Sequence, residues 1–226
     1  MVGSYPAELG LIPRPATIID NREIILFKFV LSAVMAFALA LAPIASYAVP
    51  GEFNQIRQAS VFLKNETNQG SCSGTKIGTT LVLTAAHCGD VTDIMTINNN
   101  KVTVLKRDVN DDLMLVKVSL PGTIAISLVS QPPAIDTNIV VVGYPMGIDM
   151  WVTEGFVQGY QEPNRMFISA AIAPGNSGGG VFAKDDNGQF KLVGVAVGAY
   201  GSFYSIFPHM GVAVDIDTIN DFIKRP

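Results

Sequence analysis

Ser177 is the single hydroxyl of the octet APGNSGGG, residues 173–180, where a proline and four glycines surround it. Gly, Asn, Pro and Ser are the turn formers, so one reading is a surface turn. The other reading is chemical. Glycine leaves backbone amides uncovered and tolerates positive φ, and successive exposed N–H groups make a concave site for negative charge. A serine in such a site is a candidate nucleophile, because the same amides can hold the oxyanion of a tetrahedral intermediate. That chemistry needs a base and a carboxylate that orients the base.

Two histidines are available. His87 follows the apolar run LVLTAA and precedes Cys88. A bridge from Cys88 to Cys72 would pin its backbone, and a base needs such a fixed position. His209, in FPHMG, has no comparable anchor and reads as a loop histidine. The candidate acid is Asp112 in DVNDDLMLVKV, at the mouth of an apolar strand. A partly buried carboxylate finds a partner, and a histidine N–H is one whose tautomer it would fix. Asp111 reads as an ordinary turn residue, and Asp108, further from the strand, is the weaker alternative acid. Two cysteines and two histidines so far apart make a poor zinc site. No metal or cofactor is expected.

The elements that must carry these residues are short. From about residue 55, runs such as SVFLK, LVLTAA, KVTVLK, LMLVKV, IVVVGY, MFISAA and LVGVAVG alternate with NNN, PG, PP and DDNG turns. Many short β-branched strands at this spacing point to an all-β sandwich or barrel. Only the end looks helical: Ile216, Ile219, Phe222 and Ile223 share one helical face, with Asp215 or Asp217 as N-cap.

With 49% hydrophobic and 15% charged residues, the chain reads as a well-cored globular protein plus an apolar segment. A net charge of −4 without a basic run argues against nucleic acid. The apolar segment is FVLSAVMAFALALAPIASYA, residues 29–48, preceded by Lys28 and ending in small residues. This is a secretory signal pattern, with cleavage expected after Ala48; the alternative is an uncleaved anchor over 29–47. The expected domains are residues 1–48, an N-terminal extension with the signal peptide, and 49–226, the mature domain. Membrane contact is expected only if the segment stays uncleaved, and a secreted or periplasmic location follows from cleavage. Outside the reducing cytosol, Cys72 and Cys88 are expected to be bridged.

TAAHC, then DDLML, then PGNSGG, in that order, resemble the chymotrypsin-like serine peptidases. AAIAPGNSGG with LVGVAVG downstream is similar to their bacterial branch, close to high-temperature-requirement and glutamyl-endopeptidase-type proteases. Cys72 within GSCSGTKIG, paired with the cysteine after His87, resembles that family's first disulfide. The resemblance covers about residues 58–223. It implies two six-stranded antiparallel β-barrels with a break near residues 120–136, a short C-terminal helix, an active site between the barrels and protein or peptide substrates. From the length of the mature chain, no added peptide-binding (PDZ) module is expected. The resemblance further implies Ser177 as nucleophile, His87 as base, Asp112 as orienting acid, and the N–H groups of Gly175 and Ser177 as the oxyanion hole.

Departures from the pattern bear on activation and specificity. Asn176 stands where digestive trypsins carry an aspartate that pairs with a newly cut N-terminus, so no zymogen switch of that kind is expected. Six positions before the serine, at the base of the S1 pocket in that family, stands Ala171, which offers no counter-charge to Lys or Arg. Ala196 stands where glutamyl endopeptidases carry a histidine. Ala171, Ile172, Val197, Gly198 and Ala199 would form an uncharged lining for small to medium apolar P1 residues. Two other readings compete. GNSGG also fits the nucleophile elbow of an esterase, which demands a helix after the serine, and a protease fold can serve as a catalytically silent binding module.

Overall fold

Residues 51–161, 164–202 and 205–225 are described by the computed structural model. The apolar segment at 29–48 and the cleavage expected after Ala48 lie outside the described residues. Seven short strands follow one another in the first half: β1 Ser60–Asn65, β2 Gly70–Lys76, β3 Leu81–Thr84, β4 Met95–Ile97, β5 Asn100–Lys101, β6 Thr103–Asp108 and β7 Leu113–Lys117. They pair in the order β5-β4-β1-β2-β3-β7-β6. Only Val102 separates β5 from β6 in the chain, although they stand at opposite ends of that order. The sheet therefore curls until its two edges are joined covalently, and Val102 N donates to Met95 O at 3.1 Å.

The second half is a closed barrel of six strands: β8 Asn138–Gly143, β9 Trp151–Gln161, β10 Arg165–Ile168, β11 Gly180–Lys184, β12 Phe190–Ser202 and β13 Ser205–Asp215. This is the chymotrypsin-like double-barrel arrangement. The first half differs from the expected six strands by one, the two-residue β5. Asn98 and Asn99 take positive φ of 48° and 65° and fold β4 tightly back on β5, the conformation that two-residue hairpins require.

Both faces of β7 are buried, which explains its unbroken apolar run LMLV. Met114 and Val116 enter the first barrel's interior, while Leu113 and Leu115 face a second core shared with β8, β11, β12 and the helices. Two helices feed this shared core. Helix α2, Ile216–Lys224, inserts Ile216, Ile219 and Phe222, each side chain contributing roughly 1.5–3 kcal/mol by leaving water. Asp215 is its N-cap, its carboxylate accepting from Thr218 N at 2.8 Å, and Asp217 lies in the first turn. Helix α1, Asn54–Ala59, was not expected from sequence. Six residues are too few to display a helical period, and burial of Ile56 and Ala59 in the shared core fixes it. Among the described residues no helix is long and apolar enough to cross a membrane.

Residues 118–137 connect the barrels. Buried Lys76 of β2 holds this connection, its Nζ donating to Leu120 O (3.2 Å), Thr123 O (3.0 Å) and Thr123 Oγ1 (2.8 Å). Three such acceptors satisfy an ammonium that would otherwise be costly to bury.

Candidate active site

β3 ends at Thr84, and Ala86–Cys88 form a 3-10 turn with His87 at its centre. Three contacts fix the turn. Cys88 is disulfide-bonded to Cys72 of β2, with Cα atoms 6.0 Å apart. Arg107 of β6 donates through Nε to Ala86 O (3.0 Å) and Gly89 O (2.8 Å). Asp112 accepts from His87 N at 3.0 Å. The same carboxylate meets His87 Nδ1 at 2.8 Å through Oδ2 and 3.1 Å through Oδ1. An ionised carboxylate only accepts, so Nδ1 carries the proton and Nε2 of the neutral ring is left as the basic nitrogen. The Asp112 side chain is 20% exposed against 47% for His87, so the acid is shielded while the imidazole stays accessible.

Asp112 takes a left-handed φ of 58° at the end of the β6–β7 turn. Its acidic neighbours are engaged elsewhere. Asp108 Oδ1 accepts from Asn110 N (3.0 Å) and Asp111 N (3.2 Å), and its Oδ2 pairs with Arg225 Nη1 (2.9 Å). The Asp111 and Asn110 amides and the Arg225 guanidinium hold the Asp108 carboxyl below its ordinary range against the opposing effect of desolvation. Asp111 accepts from Asn164 Nδ2 (2.8 Å) and Arg225 Nη2 (2.7 Å). Its hydrogen bond, ahead of the charges of Asp111 and Asp108, raises the Arg225 pKa. His209 lies on β13 with Nδ1 3.1 Å from Ser169 O.

Opposite the His87 turn, the serine loop is built from main chain. Ser73 N donates to Ser177 O (2.8 Å), Gly178 N to Ala196 O (2.7 Å) and Ala196 N to Gly179 O (2.8 Å). Ser73 Oγ donates to Gly175 O (2.8 Å) and accepts from Tyr144 N (2.9 Å). Gly175 and Gly178 have φ of 95° and 84°. A Cβ on Gly175 would lie 2.5 Å from Tyr144 O, and one on Gly178 2.2 Å from Ser73 O. Glycine at these positions thus lets three chain segments touch backbone to backbone as well as making the turn. Among the described residues, the N–H groups of Gly175 and Ser177 donate to no acceptor.

His87 and Ser177 line one cavity of about 270 Å³, together with Asn68, Gly70, Ser71, the disulfide, Pro174 and Gly175. No hydrogen bond joins Ser177 Oγ to His87 among the described residues, and such bonds commonly tighten only when substrate is bound. On its other side Ser177 borders a cavity of about 130 Å³ with Ile172, Ala173, Pro174, Gly198 and Ala199. Of the lining expected from sequence, Ile172, Gly198 and Ala199 are there. Val197 instead packs against the first-barrel and shared cores. Ala171 is not part of the lining, and its carbonyl accepts from Thr153 Oγ1 at 3.1 Å. Ala173 and Pro174, the first two residues of the glycine-rich octet, also border this cavity. Ligating atoms of Cys72, His87 and Cys88 lie within 4.8 Å of one another, but both sulfurs are spent in the disulfide and offer no thiolate.

After Ser177 the chain runs into strand β11, not a helix, which removes the esterase elbow. No curated protein sequence matches the chain. Solved structures similar to it include the serine endoprotease from Yersinia pestis, at 20% identity and a TM-score of 0.65, covering 76% of this chain and 64% of that one. The Rv3671c protease from M. tuberculosis in its active form gives 18%, 0.66, 80% and 86%, and the HtrA-type protease AlgW with tripeptide gives 21%, 0.64, 76% and 61%, in the same order. The chain thus spans less than two thirds of the Yersinia and AlgW chains, and at these identities the likeness speaks for the fold. Residues 72–195 match the trypsin-like peptidase domain, and the chain belongs to that family.

Proposed function

We propose that the protein is a serine endopeptidase acting on proteins or peptides through Ser177, His87 and Asp112. The observation that carries this reading is the Asp112 carboxylate on His87 Nδ1 at 2.8 Å, with the imidazole and Ser177 lining one cavity. In this mechanism His87 Nε2 takes the Ser177 proton as Oγ attacks the scissile carbonyl, and the imidazolium then protonates the leaving amine. Asp112 keeps Nδ1 protonated throughout and stabilises the imidazolium. The unengaged N–H groups of Gly175 and Ser177 receive the oxyanion, and water then releases the acyl group by the same route. Protein or peptide chains are the substrate class that the family membership supports.

The cavity bounded by Ile172, Ala173, Gly198 and Ala199 carries no charged side chain and holds about 130 Å³. It supports a preference for small to medium apolar P1 residues such as Val, Ala or Leu, because an Arg, Lys or Glu head would enter without a partner. Export by cleavage after Ala48, to a secreted or periplasmic location, remains part of the proposal on the strength of the signal pattern and the Cys72–Cys88 bridge. The test is cleavage of a diverse peptide library by the mature chain beside Ser177→Ala. Cleavage after apolar P1 residues that vanishes in the variant supports the reading. Cleavage that survives in Ser177→Ala, or none by either protein, rejects it in favour of another nucleophile or a binding module.

A further inference from the structure

We propose that Arg225, the C-cap residue of α2, is a positioning residue for Asp112: its guanidinium fork sets the β6–β7 turn that holds the Asp112 carboxylate against His87. The inference rests on the proposed function above. Arg225 Nη1 binds Asp108 Oδ2 at 2.9 Å and Nη2 binds Asp111 Oδ2 at 2.7 Å, so one planar group ties the residue before the turn to the residue next to Asp112. The remaining carboxylate oxygens are also held: Asp108 Oδ1 by the amides of Asn110 and Asp111, Asp111 Oδ1 by Asn164. The turn delivers Asp112 at φ 58°, an unfavourable conformation for most side chains that persists where surroundings impose it.

The fork has a firm base. Ile219 and Phe222 anchor α2 in the core that also contains Leu113 of β7, and Lys106 of β6 donates to the carbonyls of Phe222 and Arg225. The helix end and the hairpin are therefore fastened together. A lysine at 225 could supply charge but not two parallel N–H bonds in a fixed plane.

Charge gives a second signature. The charged groups at the His87 turn and the β6–β7 turn beside it are Asp112, Asp108 and Asp111, Arg107 of β6, Asp90 and Asp93 beyond the 3-10 turn, and Arg165 and Arg225. Without Arg225, the Asp108 and Asp111 carboxylates of the turn that carries Asp112 lose their counter-charge. Added negative potential favours the imidazolium, so the acid limb of the kcat/KM profile moves to higher pH.

Arg225→Ala is expected to lower kcat about tenfold to a hundredfold, leave KM within about twofold, shift the acid limb upward and weaken the downfield proton resonance of His87 Nδ1. Arg225→Lys should return the acid limb to its wild-type position while recovering kcat only in part. Wild-type kcat, acid limb and His87 resonance in Arg225→Ala would overturn the proposal. So would a kcat loss without change in the limb or the resonance, which marks mere destabilisation. If the Ala variant does not fold, Arg225→Lys decides: reduced kcat with a weakened resonance supports the fork, and wild-type values of both overturn it. An inactive wild type, or activity that survives Ser177→Ala, removes the proposed function instead, and the His87 resonance still reads the hold of Arg225 on Asp112.

Discussion

Across the cleft, the two halves of the candidate site are held by different kinds of contact. On the His87 side the fasteners are side chains: the Cys72–Cys88 bridge, the Arg107 guanidinium, the Asp112 carboxylate and the Arg225 fork. On the Ser177 side they are mainly main chain: Ser73 N to Ser177 O, Gly178 N to Ala196 O, Ala196 N to Gly179 O, with the Ser73 and Thr84 hydroxyls stitched between them. Side-chain fasteners can be removed one at a time and leave the backbone path intact. At Gly175 and Gly178 a Cβ would lie 2.5 Å from Tyr144 O and 2.2 Å from Ser73 O, so no side chain enters there unless the main chain itself moves.

The sharpest way to break this contrast is Gly178→Ala. The new methyl would sit 2.1 Å from Thr84 Oγ1 and 2.2 Å from Ser73 O on a backbone of φ 84°, and two of its three nearest neighbours are main-chain atoms. Overpacking and a forbidden φ combine here, and the expected loss is about 4 kcal/mol, enough to abolish folding of a marginal domain. Urea denaturation gives the value; a cost below about 1 kcal/mol would show that this loop yields as readily as the opposite side. Next in size is removal of the bridge by Cys72→Ala with Cys88→Ala. For a loop with a sequence separation of 16, the chain-entropy model gives about 3 kcal/mol. Arg107 and Asp112 still brace the turn, so the variant should fold and keep measurable Ser177-dependent cleavage. An unfolded double variant in the cold would mean that the side-chain fasteners are as indivisible as the glycines.

This asymmetry also explains what could be read from sequence. His87, Asp112 and Ser177 stand out because each sits beside a recognisable marker: a cysteine, a strand mouth, a glycine-rich octet. The structure brings the first two into contact and sets the third on the same cavity. The strand runs LMLVKV and IVVVGY announced β7 and β8, since burial on both faces leaves them without polar interruptions. GSCSGTK gave no strand signal. A Cβ on its Gly74 would lie 2.7 Å from Val82 Cγ1, its Ser73 and Lys76 side chains find their partners far along the chain at Gly175 and Leu120, and its buried Thr75 Oγ1 has no partner among the described residues. Arg225 escaped for the same reason: its carboxylates at 108 and 111 lie 117 and 114 positions upstream. Gly198 and Ala199 border the second cavity beside Ser177 while Val197 packs against the cores, a difference in facing that the uniformly apolar local sequence does not encode.

The smallest expected effect tests the contrast through acid. Asp108 belongs to the side-chain half, whereas the serine loop has Asn176 where an acid would titrate. The Asp111 and Asn110 amides and Arg225 hold the Asp108 carboxyl low. A depressed folded pKa means that its stabilisation is fully present above the unfolded value, about 3.9, and is lost as pH falls through the folded one. Below about pH 4, the β6–β7 turn should therefore loosen before the serine loop does. Hydrogen exchange at the Asn110 and Asp111 amides should accelerate in acid relative to Gly178 and Gly179, whose bonds to backbone carbonyls do not titrate. In Asp108→Asn the fall of Tm with acid should be shallower than in wild type, because one carboxylate no longer has a proton to bind. Identical acid profiles for the two proteins, with both loops opening together, would mean that the halves share one fastening after all and that the distinction between side-chain and main-chain support carries no consequence for stability.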